Sequence, residues 1–206
     1  MSDTHKPAWR EYIETIVICV LFVLFARTFA FQQSKIPTGS MEQTLLPGDY
    51  ILVDRLGFPG RQIDRGDVVV FKYPLEPEVD YIKRVIGLPG DIVQVRPDGV
   101  HLNGELIDEP YVAEPYRRSY RETAPQRVAE GHLFVMGDHR NDSLDSRVWG
   151  QLPQTLVKGR AVLVWWSFPE ANGAYPTANQ RVQGWGDKLF GFFTRSRWDR
   201  CMRRIR

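Results

Sequence analysis

Cysteine is nearly absent from this chain of 206 residues. Cys19 lies in an apolar N-terminal stretch and Cys201 near the C-terminus, so neither a disulfide framework nor a thiolate zinc site can be built. Histidine is scarce as well. Of His5, His101, His132 and His139, only the last two are close in sequence, at a spacing that matches no metal motif, and no metal is expected. Excess charge of one sign is also missing. A formal net charge of +2 is too small for a nucleic-acid binder, so nucleic acid is excluded as an expected partner. Beyond residue 31 there is no long helical periodicity, no internal repeat and no phosphate-binding glycine loop.

What the chain does have is turn formers and one long apolar run. The 17 glycines and 14 prolines favour a turn-rich β domain over a helical bundle. The 43% hydrophobic content suffices for one membrane segment and one modest soluble domain. Thr15 to Ala26, TIVICVLFVLFA, holds no charge and no helix breaker, and Tyr12 to Phe31 holds only Glu14 and Arg27 as ionisable residues. As a helix it would be about 30 Å long, roughly one hydrocarbon thickness, with Arg27 able to snorkel. A transmembrane anchor over 12–31 is therefore expected. A cleavable signal peptide fits less well, because the run is long and no small-x-small pair closes it. Orientation is not encoded in the flanks. Lys6 and Arg10 on one side nearly balance Arg27 and Lys35 on the other.

Short apolar runs separated by turns follow. Strands are expected at Tyr50 to Val53, Asp67 to Tyr73, Tyr81 to Leu88, Ile92 to Arg96, Val100 to Leu102, His132 to Met136 and Ala161 to Phe168. Leu88-Pro89-Gly90-Asp91 suits a type II turn, and Pro97-Asp98-Gly99 suits a hairpin. The expected fold class is mostly β, a single N-terminal transmembrane helix followed by an antiparallel β domain. Residues 104–130 are polar and proline-interrupted, an irregular insertion. Residues 169–183 are a poor core candidate. The basic, aromatic tail 185–206 suits either a bed on an anionic membrane surface or a loosely packed end.

Three segments carry candidate chemistry: Ile36 to Asp49 around Ser40, Tyr81 to Asp91 around Lys83, and Met136 to Arg147. Singly, each has a plain structural explanation as a turn serine, an edge lysine or an ion pair. Lys83 is the more pointed case. In a strand it shares a face with Tyr81 and Val85, and an ammonium there loses hydration, which lowers its pKa. A free lysine titrates near ~10.4, and moving it to about 7 or 8 costs roughly 4 kcal/mol. A lysine so shifted can accept the proton of a serine hydroxyl without any histidine. Ser143, Asp145 and Arg147 alternate, so an extended chain would place them on one face.

These blocks resemble those of the type I signal peptidases, or leader peptidases. The family's Ser-x-Ser-Met motif stands here as Thr38-Gly39-Ser40-Met41, its Tyr-Ile-Lys-Arg block as Tyr81-Ile82-Lys83-Arg84, and its Gly-Asp-Asn-Arg-Asp-Asn-Ser block as Gly137-Asp138-His139-Arg140-Asn141-Asp142-Ser143. Asp145-Ser146-Arg147 completes the last. His139, Asn141 and Asp142 depart from the pattern, as does Gln43 where many members carry proline. The resemblance implies a serine endopeptidase with Ser40 as nucleophile and Lys83 as general base. The oxyanion donors would be Ser40 N–H and the Thr38 hydroxyl, Ser143 would orient the lysine amine, and Asp145 with Arg147 would brace the site. Ile36, Met41, Leu45, Tyr81 and Ile82, with Val70 and Asp80 as weaker candidates, would line shallow substrate pockets. Substrates would be exported preproteins, bound extended and cleaved after small residues. No cofactor is called for. The other implied partners are the lipid bilayer and, by proximity, the export translocon. The implied location is the bacterial inner membrane, single-pass, with a short cytoplasmic N-terminus (1–11) and the catalytic domain (32–184) on the periplasmic or extracellular side. The rival readings are a membrane-anchored Ser/Lys peptidase with another substrate and a non-enzymatic envelope β domain.

Overall fold

The computed structural model describes residues 8–25, 31–55, 62–117, 122–169 and 194–205. Helix α1 (Ala8–Phe25) carries Arg10, Glu11 and Glu14 in its first half and apolar residues after them. From Trp9 to Leu21 every side chain is exposed, including Ile16, Ile18 and Leu21 at 60% or more. Among the described residues no helix is long and apolar enough to cross a membrane. The expected span over 12–31 is thus not met there, for two reasons. The charges sit inside the helix, and Phe31 opens a strand instead of ending a span. Residues 26–30 lie outside the described part.

The strands are β1 (Phe31–Lys35), β2 (Asp49–Asp54), β3 (Val68–Tyr73), β4 (Glu76–Gly87), β5 (Ile92–Arg96), β6 (Gly99–Leu102), β7 (Glu105–Leu106), β8 (Gln126–Arg127), β9 (His132–Met136), β10 (Leu152–Pro153), β11 (Val157–Ser167) and β12 (Arg203–Arg204). Two one-turn helices, α2 (Glu114–Arg117) and α3 (Ser146–Trp149), interrupt them. One sheet runs β1-β2-β11-β3-β4-β9-β10, with β12 also on β11, and a second runs β7-β6-β5-β8. Every pairing is antiparallel. The domain is therefore mostly antiparallel β, as expected. The turn at 88–91 closes with Asp91 N–H donating to Leu88 O (3.1 Å), and Gly90 takes φ +90, the left-handed residue of a type II turn.

Alternation places the core on both faces of the sheet. Val68 and Val70 of β3 join Ile51, Val53 and Ile82 in one cluster, whereas Val69 and Phe71 join Val85, Leu133 and Val135 in another. Two strands are longer than expected, β4 reaching back to Glu76 and β11 to Val157. Bulges in β11 let it serve β2, β3 and β12 in turn.

In its described residues the tail is not the loosely packed end that was one of its two expected states. Residues 170–193 lie outside the described part, and the reading of 169–183 falls there but for its first residue. From 194 onward, however, the chain folds back. β12 pairs with β11, Ile205 packs on the first cluster, and Arg200 is buried.

Candidate active site

β4 supplies Lys83 in the face that alternation dictates. It pairs with Val69, so its side chain lies on the side of Tyr81 and Val85. β9 pairs with β4 only from Arg84 onward. Beyond Met136 the partner strand stops, and the loop 137–145 takes its place beside Lys83. Ser40 comes from a different quarter, the turn between Ile36 and Asp49. That turn is closed at its base by Ile36 N–H to Asp49 O and by Gly48 N–H to Ile36 O, each 2.9 Å.

The two residues meet. Lys83 Nζ lies 2.7 Å from Ser40 Oγ, with Lys83 only 3% exposed. Burial lowers the pKa of the amine, the charges of Asp145 and Asp138 oppose that and Arg147 assists it, and the result is about 8. The Tyr81 ring lies 5.5 Å from Nζ. An amine that sheds its proton near neutrality, in hydrogen-bond contact with a hydroxyl, can activate that hydroxyl for attack.

The loop 137–145 is held from both ends. Asp145 Oδ2 accepts from Gly137 N–H (3.0 Å), and its carboxylate receives Arg147 Nε (2.8 Å) and Nη2 (2.7 Å). Burial works against the Asp145 charge, but Arg147 and Gly137 outweigh it and keep the carboxyl below its ordinary range. Asp145 also caps α3, and Ser146 Oγ accepts from Val135 N–H (3.0 Å). The expected extended run of Ser143, Asp145 and Arg147 is therefore corrected. Arg147 is helical, and it reaches Asp145 because the cap folds the chain back on itself. Ser143 is also placed differently from expectation. Its hydroxyl is buried and makes no hydrogen bond of acceptable geometry, to Lys83 or to the nearby Asp145. His139 N–H donates to Ser40 O (3.2 Å), and a Cβ on Gly137 would come within 2.4 Å of that same oxygen. Glycine is thus required for the loop to approach the Ser40 backbone.

Among the described residues, neither Ser40 N–H nor the exposed Thr38 hydroxyl is engaged in a hydrogen bond. Of the expected pocket residues, Ile36, Met41, Leu45, Val70 and Ile82 are all buried in one cluster. Tyr81 is half-buried and stacks on Tyr73 at 4.3 Å. Asp80 lies apart in a surface ion pair with Lys158 (2.6 Å).

On the other face of β4, Arg84 is fully buried. It grips Asp138 twice (2.9 and 2.7 Å), bonds Gly66 O (2.8 Å) and lies 4.0 Å over the Tyr111 ring. Arg140 is held in turn by Glu109 (2.5 Å), and the His139 ring lies tilted against Tyr116, centroids 3.9 Å apart. Sequence reading missed Glu109, Tyr111 and Tyr116, which lie in the irregular insertion and carry no local signal for contacts so distant along the chain. Two cavities, about 680 and 330 Å³, open near Arg204 and Ile205 and include neither Ser40 nor Lys83. No group of metal-ligand type clusters among the described residues.

A sequence profile described as signal peptidase, peptidase S26, matches residues 9–166. A probable signal peptidase I-2 of Synechocystis sp. is 36% identical over 80% of this chain and 76% of its own length. A signal peptidase I of Pseudomonas aeruginosa is 33% identical over 80% and 75%, and one of Bacillus licheniformis 34% identical over 82% and 95%. Sheet, site and relatives together define a serine peptidase. The chain belongs to the signal peptidase family, peptidase S26, and is an enzyme of the type I kind that removes signal peptides from preproteins.

Proposed function

We propose that Ser40 and Lys83 form the catalytic dyad and that cleavage follows small residues. The observation that carries this is the 2.7 Å contact between Lys83 Nζ and Ser40 Oγ, with the amine buried and its pKa near 8. Neutral Lys83 takes the Ser40 proton as Oγ attacks the scissile carbonyl. The oxyanion receives Ser40 N–H and the Thr38 hydroxyl, both uncommitted, and such preorganised donors favour the developing charge. Lys83 then protonates the leaving amine and, neutral again, takes a proton from the water that attacks the acyl carbonyl; it returns that proton to Ser40 Oγ as the acid product departs. Asp145 and Arg147 brace loop 137–145. Ser143 acts on the lysine amine only after a rotation of its hydroxyl.

The substrate lies extended along β4, whose edge toward β9 is unpaired before Arg84, as an added strand. Beneath it the floor is already filled by Ile36, Met41, Leu45, Val70 and Ile82. This leaves only shallow depressions, suited to small side chains. Helix α1 exposes its apolar residues on all sides, which water disfavours. This supports the expected N-terminal anchor, crossing the bacterial inner membrane once. The catalytic domain, 32–184, then lies on the periplasmic or extracellular side, close to bilayer and translocon, with 1–11 in the cytoplasm. The test is preprotein cleavage in detergent by wild type, Ser40→Ala and Lys83→Ala, on substrates with alanine or leucine before the cleavage point. Activity in either variant removes the dyad, and equal cleavage of both substrates removes the specificity.

A further inference from the structure

The turn that carries Ser40 is gripped from the far end of the chain. Asp49, where the turn runs into β2, is fully buried. Its Oδ2 accepts from Leu46 N–H (2.8 Å) and from Arg200 Nη2 (2.5 Å), and its Oδ1 from Ser167 Oγ (2.6 Å) and Arg200 Nε (3.3 Å). The same Arg200 Nη2 donates to Thr44 O (3.0 Å), and Arg197 Nη2 donates to Pro47 O (2.8 Å). Two arginines of the C-terminal segment thus hold a carboxylate and two carbonyls, all within residues 44–49. A guanidinium suits this task, because its planar fork can satisfy a carboxylate and a carbonyl together.

The grip leads to the reacting groups. Thr44, held at its carbonyl by Arg200, donates its hydroxyl to Asp138 Oδ2 (2.5 Å) and accepts from Arg84 Nη2 (3.1 Å). Asp138 opens the loop whose His139 N–H bonds Ser40 O. Met41 and Leu45, on either side of Thr44 along the turn, pack in the cluster that Ile205 covers. The segment that carries the arginines is itself anchored. Arg197 N–H donates to Ser167 O (2.9 Å), Trp166 Nε1 to Ser196 Oγ (2.9 Å), and Ile205 N–H to Val162 O (3.1 Å).

We infer that Arg200 is a positioning residue for catalysis, holding the Ser40 turn through Asp49 and Thr44 so that the hydroxyl stays aligned with Lys83. The inference rests on the reading of Ser40 and Lys83 as the dyad. A turn held only at its base by Ile36 and Asp49 could stay folded with its apex shifted, and a shift of about an ångström can cost about 10²-fold in rate. Binding of the extended substrate along β4 does not involve Arg200, so the loss belongs in kcat.

The full chain in detergent is assayed on one preprotein peptide as wild type, R200K, R203A, S40A and K83A, with circular dichroism and melting for each. R200K keeps the cation but loses the fork. It is expected to stay folded, to lose tenfold or more in kcat and to keep KM within twofold. R203A, at an exposed position of β12 three residues further on, is expected to match wild type. Wild-type kcat in R200K overturns the inference, as does a loss that only tracks the unfolded fraction. Should R200K fail to fold, the pair R200M with D49N removes both charges together and decides in its place, a tenfold lower kcat supporting the inference and a wild-type kcat overturning it. Activity in S40A or K83A overturns the dyad instead, so the two failures are distinguishable.

Discussion

Lys83 holds its amine where water cannot fully reach it, and two measurable consequences follow. Burial sets its pKa near 8 in the folded chain against an ordinary 10.5. The neutral, basic form is therefore a minority at pH 7, and kcat/KM is expected to climb with pH along a limb centred near 8 in the free enzyme. A profile flat from pH 6 to 9 would remove Lys83 as base. The stability effect has a definite sign as well. A cation whose folded pKa is depressed destabilises the fold fully below the folded value, and the cost disappears as pH rises to the unfolded one. At neutral pH the cost is about 3 kcal/mol, so Lys83→Met is expected to be inactive yet to melt several degrees higher than wild type at pH 7, with the gap closing toward pH 10. Thr38 offers a separate test. Thr38→Val deletes the hydroxyl at similar volume and is expected to cost about 3 kcal/mol in kcat/KM, the scale of one oxyanion donor, whereas Thr38→Ser keeps activity. Gly137→Ala introduces a methyl into space already held by Ser40 O and Ser143 Oγ. A drop of about 10²-fold in kcat is expected, measured on protein shown to be folded.

At the scale of elements, the Ser40 turn is the part under most constraint. Gln43 adopts φ +86, a left-handed conformation unfavourable for any residue with a Cβ. The family pattern often has proline there, but proline holds φ near −65° and cannot take this shape. Gln43→Pro is expected to lower both melting temperature and kcat. Gln43→Gly, free of the Cβ penalty, is expected to keep activity with an equal or higher melting temperature. The long β4 joins the turn to the rest of the site. It pairs with β3 from Glu76 to Arg84 and with β9 from Arg84 onward, so Lys83 is held by β3 on one side and stands where the other edge opens.

For the whole molecule, the decisive contrast is between a β domain with its apolar residues packed inside and a helix with its apolar residues outside. Trp9, Tyr12, Ile16, Ile18 and Leu21 are each 60% exposed or more. The proposed association with a bilayer would remove that surface from water. The chain is expected to remain in the membrane fraction after alkaline carbonate washing. In sealed, right-side-out vesicles a protease added outside is expected to digest the catalytic domain. Full protection there, with digestion only after the vesicles are opened, would reverse the proposed topology.

Local pattern alone determined most of the sheet. β9 falls on His132 to Met136 as expected, the 88–91 turn closes on its proline and glycine, and Tyr81, Lys83 and Val85 share a face because strand periodicity leaves no other choice. The motif blocks also pointed to Ser40 and Lys83, since a hydroxyl and a desolvated amine carry their chemistry in their own residue types. Only the tertiary structure decided how those blocks are held. Asp145 and Arg147 meet through a helix cap, not an extended face, because the carboxylate had two backbone N–H groups to satisfy. Glu109 and Arg200 pair with Arg140 and Asp49 across 31 and 151 residues of chain. Such partners have no local signature, because a buried charge selects whichever opposite charge the fold brings to it.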